Sequence, residues 1–107
     1  MSFSPVLEID LAAEAAYLRL SESEVHITKD VSDAVIVDLD EYGVVVGIEI
    51  LDLDTTLPTE RLIREHHVHS DQLDAVKHLR ESPKTFMLKS AAQGTSVRHD
   101  SRKMQFC

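Results

Sequence analysis

The sequence predicts an α+β fold: a small antiparallel β-meander of about four or five strands, packed with one or two C-terminal helices. Residues 34–54 carry two runs rich in Val and Ile around a short polar break ending in Gly43, the pattern of a β-hairpin. Upstream, two segments alternate apolar and polar residues, and from Thr56 onward the apolar spacing lengthens to three and four residues. At 107 residues with 43% hydrophobic side chains, the chain has the size and composition of one domain. Residues 1–83 are expected to hold it, with the meander over 7–54 and a helical segment over 56–82. Residues 84–107 form a polar, basic tail, expected to be mobile.

Leu7, Ile9 and Leu11 fall on one side of a first strand, with Val6, Glu8 and Asp10 on the other. Residues 12–15 form a tight connection to a second strand, where Ala16, Leu18 and Leu20 share a face. Residues 21–24 read as a turn and 25–28 as a short third strand. In the hairpin, Val35, Val37 and Leu39 lie opposite Ala34, Ile36 and Asp38, and the return run places Val44, Val46, Ile48 and Ile50 against Val45, Gly47, Glu49 and Leu51. Residues 40–43 suit a type I turn followed by glycine in the left-handed region, which costs a residue with a Cβ roughly 1 kcal/mol or more. Thr56 is placed as a helix cap with Pro58 in the first turn, and Ser70 as the cap of a second helix carrying Leu73, Val76 and Leu79 until Ser82-Pro83 ends it. These two helices could merge into one. Thr85-Phe86-Met87-Leu88 reads as a short added strand.

Both faces of the hairpin start apolar, so both call for a cover. Burying six branched side chains is worth on the order of 10 kcal/mol before entropy is subtracted, and a wet face forfeits much of that. The helices cover one face. A second copy of the sheet is the expected cover for the other, and Val35, Ile36, Val37, Val46, Ile48 and Ile50 are assigned to the core or to an oligomer interface.

The net charge of −8 conceals a division: residues 1–54 carry 2 basic and 13 acidic side chains, whereas residues 55–107 carry 9 basic and 6 acidic. An acidic meander repels nucleic-acid phosphates and anionic lipid and favours a small basic protein as partner. The basic C-terminal third, with Lys77, Arg80, Lys84, Lys89, Arg98, Arg102 and Lys103, lacks the interleaved aromatics of a nucleic-acid surface. No leader pattern or membrane-length apolar run is present, so a cytoplasmic location is expected. The single Cys107 sits at the chain end, where neither an internal disulfide nor a poised nucleophile is expected.

Residues 10–20 (Asp-Leu-Ala-Ala-Glu-Ala-Ala-Tyr-Leu-Arg-Leu), then Val35-Ile36-Val37-Asp38 and the hairpin, then Val46-Gly47-Ile48-Glu49-Ile50-Leu51, resemble the DUF2283 family of small bacterial proteins. The departures are Leu11 in the family's proline position, Glu14 in its aspartate position and Ala16 in its leucine position. Over residues 7–54 the resemblance implies a compact β-meander with a C-terminal helix. It supplies no catalytic residues, since the family's function is unknown, and some members are suspected of belonging to toxin–antitoxin-like gene pairs.

Three groups of residues invite chemistry. Asp38, Asp40, Gly43 and Glu49 have EF-hand calcium-loop spacing, but Tyr42 replaces the required acid or amide, and strands flank the loop where helices should. Glu8, Asp10, Asp38, Asp40, Glu49, Asp52 and Asp54 could form a carboxylate pair if the strand ends converge. His66, His67 and His69 are the candidate ligands for a divalent transition metal, with His78 nine residues beyond, although a helix or a strand aligns only two of them at once. Gly-rich phosphate loops, Cys-x-x-Cys pairs and Ser-His-Asp signatures are all absent. The functional expectation is a non-enzymatic, homo-oligomeric (dimeric) protein-binding module, antitoxin-like in its preference for a small basic partner and without a cofactor. The alternative is a metal-binding protein or metal-dependent enzyme using the histidine cluster with nearby acids.

Overall fold

The computed structural model describes residues 5–92 and 101–105, and it has the expected α+β architecture. Strands β1 (Val6–Asp10), β2 (Ala15–Arg19), β3 (Ile27–Asp30), β4 (Val35–Leu39) and β5 (Val45–Ile50) form an antiparallel sheet, and β6 (Ser101–Gln105) is added at one edge. The strand order is β3-β4-β5-β2-β1-β6. Two local units, the β1–β2 hairpin and the β3–β4–β5 meander, are therefore joined through the β2–β5 pair.

Alternation sends Leu7 and Ile9, Ala16, Leu18 and Leu20, Val35, Val37 and Leu39, and Ile48 and Ile50 to one face, where all are buried. Helices α1 (Thr59–Glu65), α2 (Leu73–His78) and α3 (Pro83–Ala92) cover that face and contribute Leu62, Ala75, Val76, Leu79 and Met87 to the same core. Of the residues assigned to a core or an interface, Val35, Val37, Ile48 and Ile50 are fully buried within the single chain, and Ile36 is half-buried on the opposite face.

The hairpin departs from simple alternation at one point. Asp38 pairs with Gly47 but Leu39 pairs with Val45, so the register shifts at a bulge and Val46 is the extra residue. Val45 thereby joins the core face with Leu39, in place of the opposite face that strict period two assigns it. Val46 is itself buried, and its carbonyl accepts from Leu20 N–H at 2.9 Å. The turn forms as expected: Gly43 has φ +80°, Gly43 N–H donates to Asp40 O at 3.0 Å, and Asp40 Oδ1 accepts from the N–H groups of Tyr42 and Val44.

In the β1–β2 connection Asp10 Oδ1 accepts from Ala13 N–H at 3.1 Å, and Glu14 takes the left-handed φ of +54°. Aspartate tolerates this conformation better than glutamate does, because its short side chain bonds locally to the backbone. Glutamate at this position is therefore a local strain.

The C-terminal half differs from its expected layout at Thr56, at Pro83 and over residues 85–88, while its two-helix reading holds. Helix α1 begins at Thr59 with Pro58 as its flanking residue, and Thr56 caps nothing in it. The helical segment is divided: α1 ends at His66, whose N–H donates to Leu62 O at 2.9 Å, and the chain runs through residues 67–69 to a 3-10 turn at Ser70–Gln72 before α2. Pro83 opens a helix instead of closing one. Ser82 Oγ accepts from Thr85 N–H at 3.2 Å, and Pro83 occupies the first turn, where its missing N–H costs nothing. Thr85 to Leu88 is thus helical, and the expected tail supplies α3 and β6. Cys107 lies outside the described residues.

Ile48→Ala should cost about 2–5 kcal/mol in chemical denaturation, because it empties a fully buried site between β2 and β4. The two left-handed positions should respond with opposite signs. Glu14→Gly should stabilise the fold by up to about 1 kcal/mol, and Gly43→Ala should destabilise it by roughly 1 kcal/mol or more.

Candidate functional site

Among the described residues the second face of the sheet carries no helix, and its centre is organised by polar side chains from β2, β3 and β4 that meet across β5. Thr28 on β3 pairs in register with Asp38 on β4, Asp38 with Gly47 on β5, and Gly47 with Arg19 on β2. Tyr17, two residues before Arg19, reaches diagonally across β5. Its hydroxyl donates to Asp38 Oδ2 at 2.7 Å, while Thr28 Oγ1 donates to Asp38 Oδ1, also at 2.7 Å. The guanidinium of Arg19 lies 5.3 Å from the Tyr17 ring centroid, within cation–π range.

Gly47 is what lets this arrangement form. A Cβ built there would overlap the Tyr17 hydroxyl, so only a glycine leaves room for the phenol to cross β5. Burial, and then the hydrogen bond to Asp38, raise the Tyr17 pKa well above its ordinary value of about 10. The phenol stays protonated and donating, and both Asp38 oxygens are occupied. This group is a lock across four strands, unsuited to act as a nucleophile or general base.

The other candidate residues are dispersed. Asp40 is consumed by its turn, Asp52 Oδ1 accepts from Asp54 N–H at 2.9 Å, and Asp54 lies 3.9 Å from Lys84 Nζ in an exposed pair. Asp38 and Asp40, the first two positions of the calcium-loop spacing, are thus committed to the sheet lock and the turn. His66 flanks the end of α1, the carbonyl of His67 accepts from Val45 N–H at 2.8 Å, and His69 precedes the 3-10 turn. Among the described residues, no group of three or more His, Cys, Asp or Glu is placed to hold a metal ion. Also among them, no helix is long and apolar enough to cross a membrane.

The lock is not legible in the sequence, because Tyr17, Thr28 and Gly47 are far apart in it and individually ordinary. One signal was available: a glycine inside a run of Val and Ile marks a close approach of something to the strand.

Two further surfaces flank the sheet. A cleft of about 330 Å³ opens at the start of β3, lined by Ser23, Glu24, Val25, His26, Asp40, Glu41 and Tyr42. A second of about 200 Å³ lies among Leu11, Glu14, Asp52, Leu53, Asp54, Lys84 and Met87.

Sheet, helices and polar lock define a small antiparallel α+β domain with one covered face and one open face. Residues 7–53 match the family described as "Protein of unknown function (DUF2283)". No curated protein and no solved structure matches the chain.

Tyr17 provides a pH-dependent test of the lock. Below about pH 10 its proton is bound in both folded and unfolded chains, and the contribution to stability is constant. As pH rises further the unfolded chain loses the proton first, so stability falls. Tyr17→Phe should flatten this alkaline slope in urea titrations, and an unchanged slope would refute the assignment. Gly47→Ala should cost roughly 1–3 kcal/mol by displacing the phenol.

Proposed function

We propose that the chain is a non-enzymatic protein-binding module that self-associates across the open face of its sheet and recruits a small basic protein as partner. The observation that carries this reading is the apolar end of that face. Ala15, Ala34 and Ile36 are half-buried there, and Leu51 is 44% exposed, with its N–H donating to Ala34 O at 2.8 Å so that β4 and the end of β5 stay together. The adjoining polar groups of Tyr17, Asp38 and Thr28 satisfy one another, so covering the patch strands no hydrogen-bonding group of the lock.

Charge shapes the association. Glu8, Asp10, Asp30 and Glu49 lie around the patch and outnumber the cations Arg19 and Lys103, the latter in register with Glu8, so two copies repel at the rim and adhere at the apolar end. Self-association should therefore strengthen with added salt, because screening removes the repulsion and leaves apolar burial in place. The acidic meander supports a basic partner for the same reason, in line with the excess of acids over residues 1–54.

Light scattering at micromolar concentration should give a mass above that of the monomer, rising toward twice the monomer mass as salt is added. Leu51→Asp, at an exposed position that leaves the core intact, should return the mass to that of a monomer. A wild-type chain that remains monomeric across the salt series would overturn the self-association.

A further inference from the structure

Strand β3 forms one edge of the sheet, all four of its residues are exposed, and among the described residues no strand adjoins its outer side. Large apolar side chains crowd this edge: Val25 is 49% exposed, Ile27 46% and Tyr42 81%. Edges left open in this way are normally blunted, because unpaired backbone groups beside apolar side chains recruit other strands. Here the lone cation is Lys29, and residues 21–42 carry seven acidic side chains against that single lysine.

We infer that the β3 edge is a docking strand for an extended, lysine- or arginine-rich segment of a partner protein, which adds to the sheet as a further strand. This rests on the protein-binding reading but is independent of self-association. Main-chain hydrogen bonds to β3 supply affinity, and side-chain alternation supplies selectivity. Ile27 pairs with Leu39 and so lies toward the core side of the sheet, where an apolar guest residue covers it. Asp30 pairs with Ile36 on the open face, where the intervening basic residues meet acid. At the start of the strand, Glu24 and Glu41 wall the cleft beside Val25 and Tyr42 and receive the aliphatic stem and charged head of a terminal lysine or arginine.

A second copy is a poor occupant, because residues 21–42 carry seven acids and one lysine, so two such edges meet with like net charge. Nucleic acid and anionic lipid carry the wrong sign.

The test uses the full chain with three short labelled peptides: one alternating lysine and valine, its glutamate–valine counterpart, and the lysine peptide N-methylated at alternate backbone amides. The lysine–valine peptide should bind, shift amide resonances of residues 25–30 and weaken as salt is added. The other two should bind at least roughly tenfold more weakly, as should the first against the exposed double variant Glu24→Lys, Asp30→Lys. Absence of binding, equal binding of all three, or shifts confined to other elements would each overturn the proposal. The two readings separate cleanly. A monomeric wild type that binds the lysine peptide ends the self-association and keeps the docking edge, and a dimer indifferent to the peptide does the reverse.

Discussion

The pairing of β2 with β5 is the constraint on which the rest of this structure depends. The two-stranded β1–β2 unit is too small to bury a core unaided, and only its union with the β3–β4–β5 meander puts Leu18 beside Ile48 and Ala16 beside Ile50 beneath the helices. The same register places Tyr17 one residue from Leu18 on the opposite face, where it crosses Gly47 to reach Asp38. A one-residue slip would turn the core residues to solvent and bury the polar lock, so both faces enforce the same alignment.

This arrangement separates two tasks between the two faces. The helical face holds the chain together, through side chains that are almost all aliphatic and fully buried. The open face and the β3 edge carry the polar and charged groups, and their geometry bears on recognition more than on chemistry. Tyr17 is held protonated, Asp38 is saturated with donors, and most of the remaining acids with assigned contacts cap turns or sit in exposed pairs. The proposed function accordingly rests on surface shape and charge sign. Salt then separates its two proposed contacts: screening strengthens the repelled pair of copies and weakens the attracted basic partner.

Legibility in the sequence followed how local each cause was. The hairpin turn could be read because Asp40 and Gly43 do their work within four residues, and the period of β1, β2 and β4 exposed their buried faces directly. Local rules misled where a single residue had two meanings. Pro83 ends one helix and begins another with equal local plausibility, and Ser82 decides the matter through a bond to Thr85 N–H. The bulge at Val46 is invisible to period two, which cannot register an inserted residue and so assigns Val45 to the wrong face. The histidines, conspicuous as neighbours in sequence, are used by the fold for their backbone at the end of α1 and beside β5.

By itself the sequence determined the class of fold, the buried face of most strands, the hairpin turn and the acidic character of the first half, all set by residue type and short-range spacing. Tertiary structure alone decided that β2 meets β5, that α3 and β6 come from the supposed tail, and that Tyr17, Thr28 and Asp38 converge over Gly47. It also decided which edge and which face stay open. Such outcomes depend on which non-local partner wins, and that follows from the packing of the whole core, which no window of neighbouring residues contains.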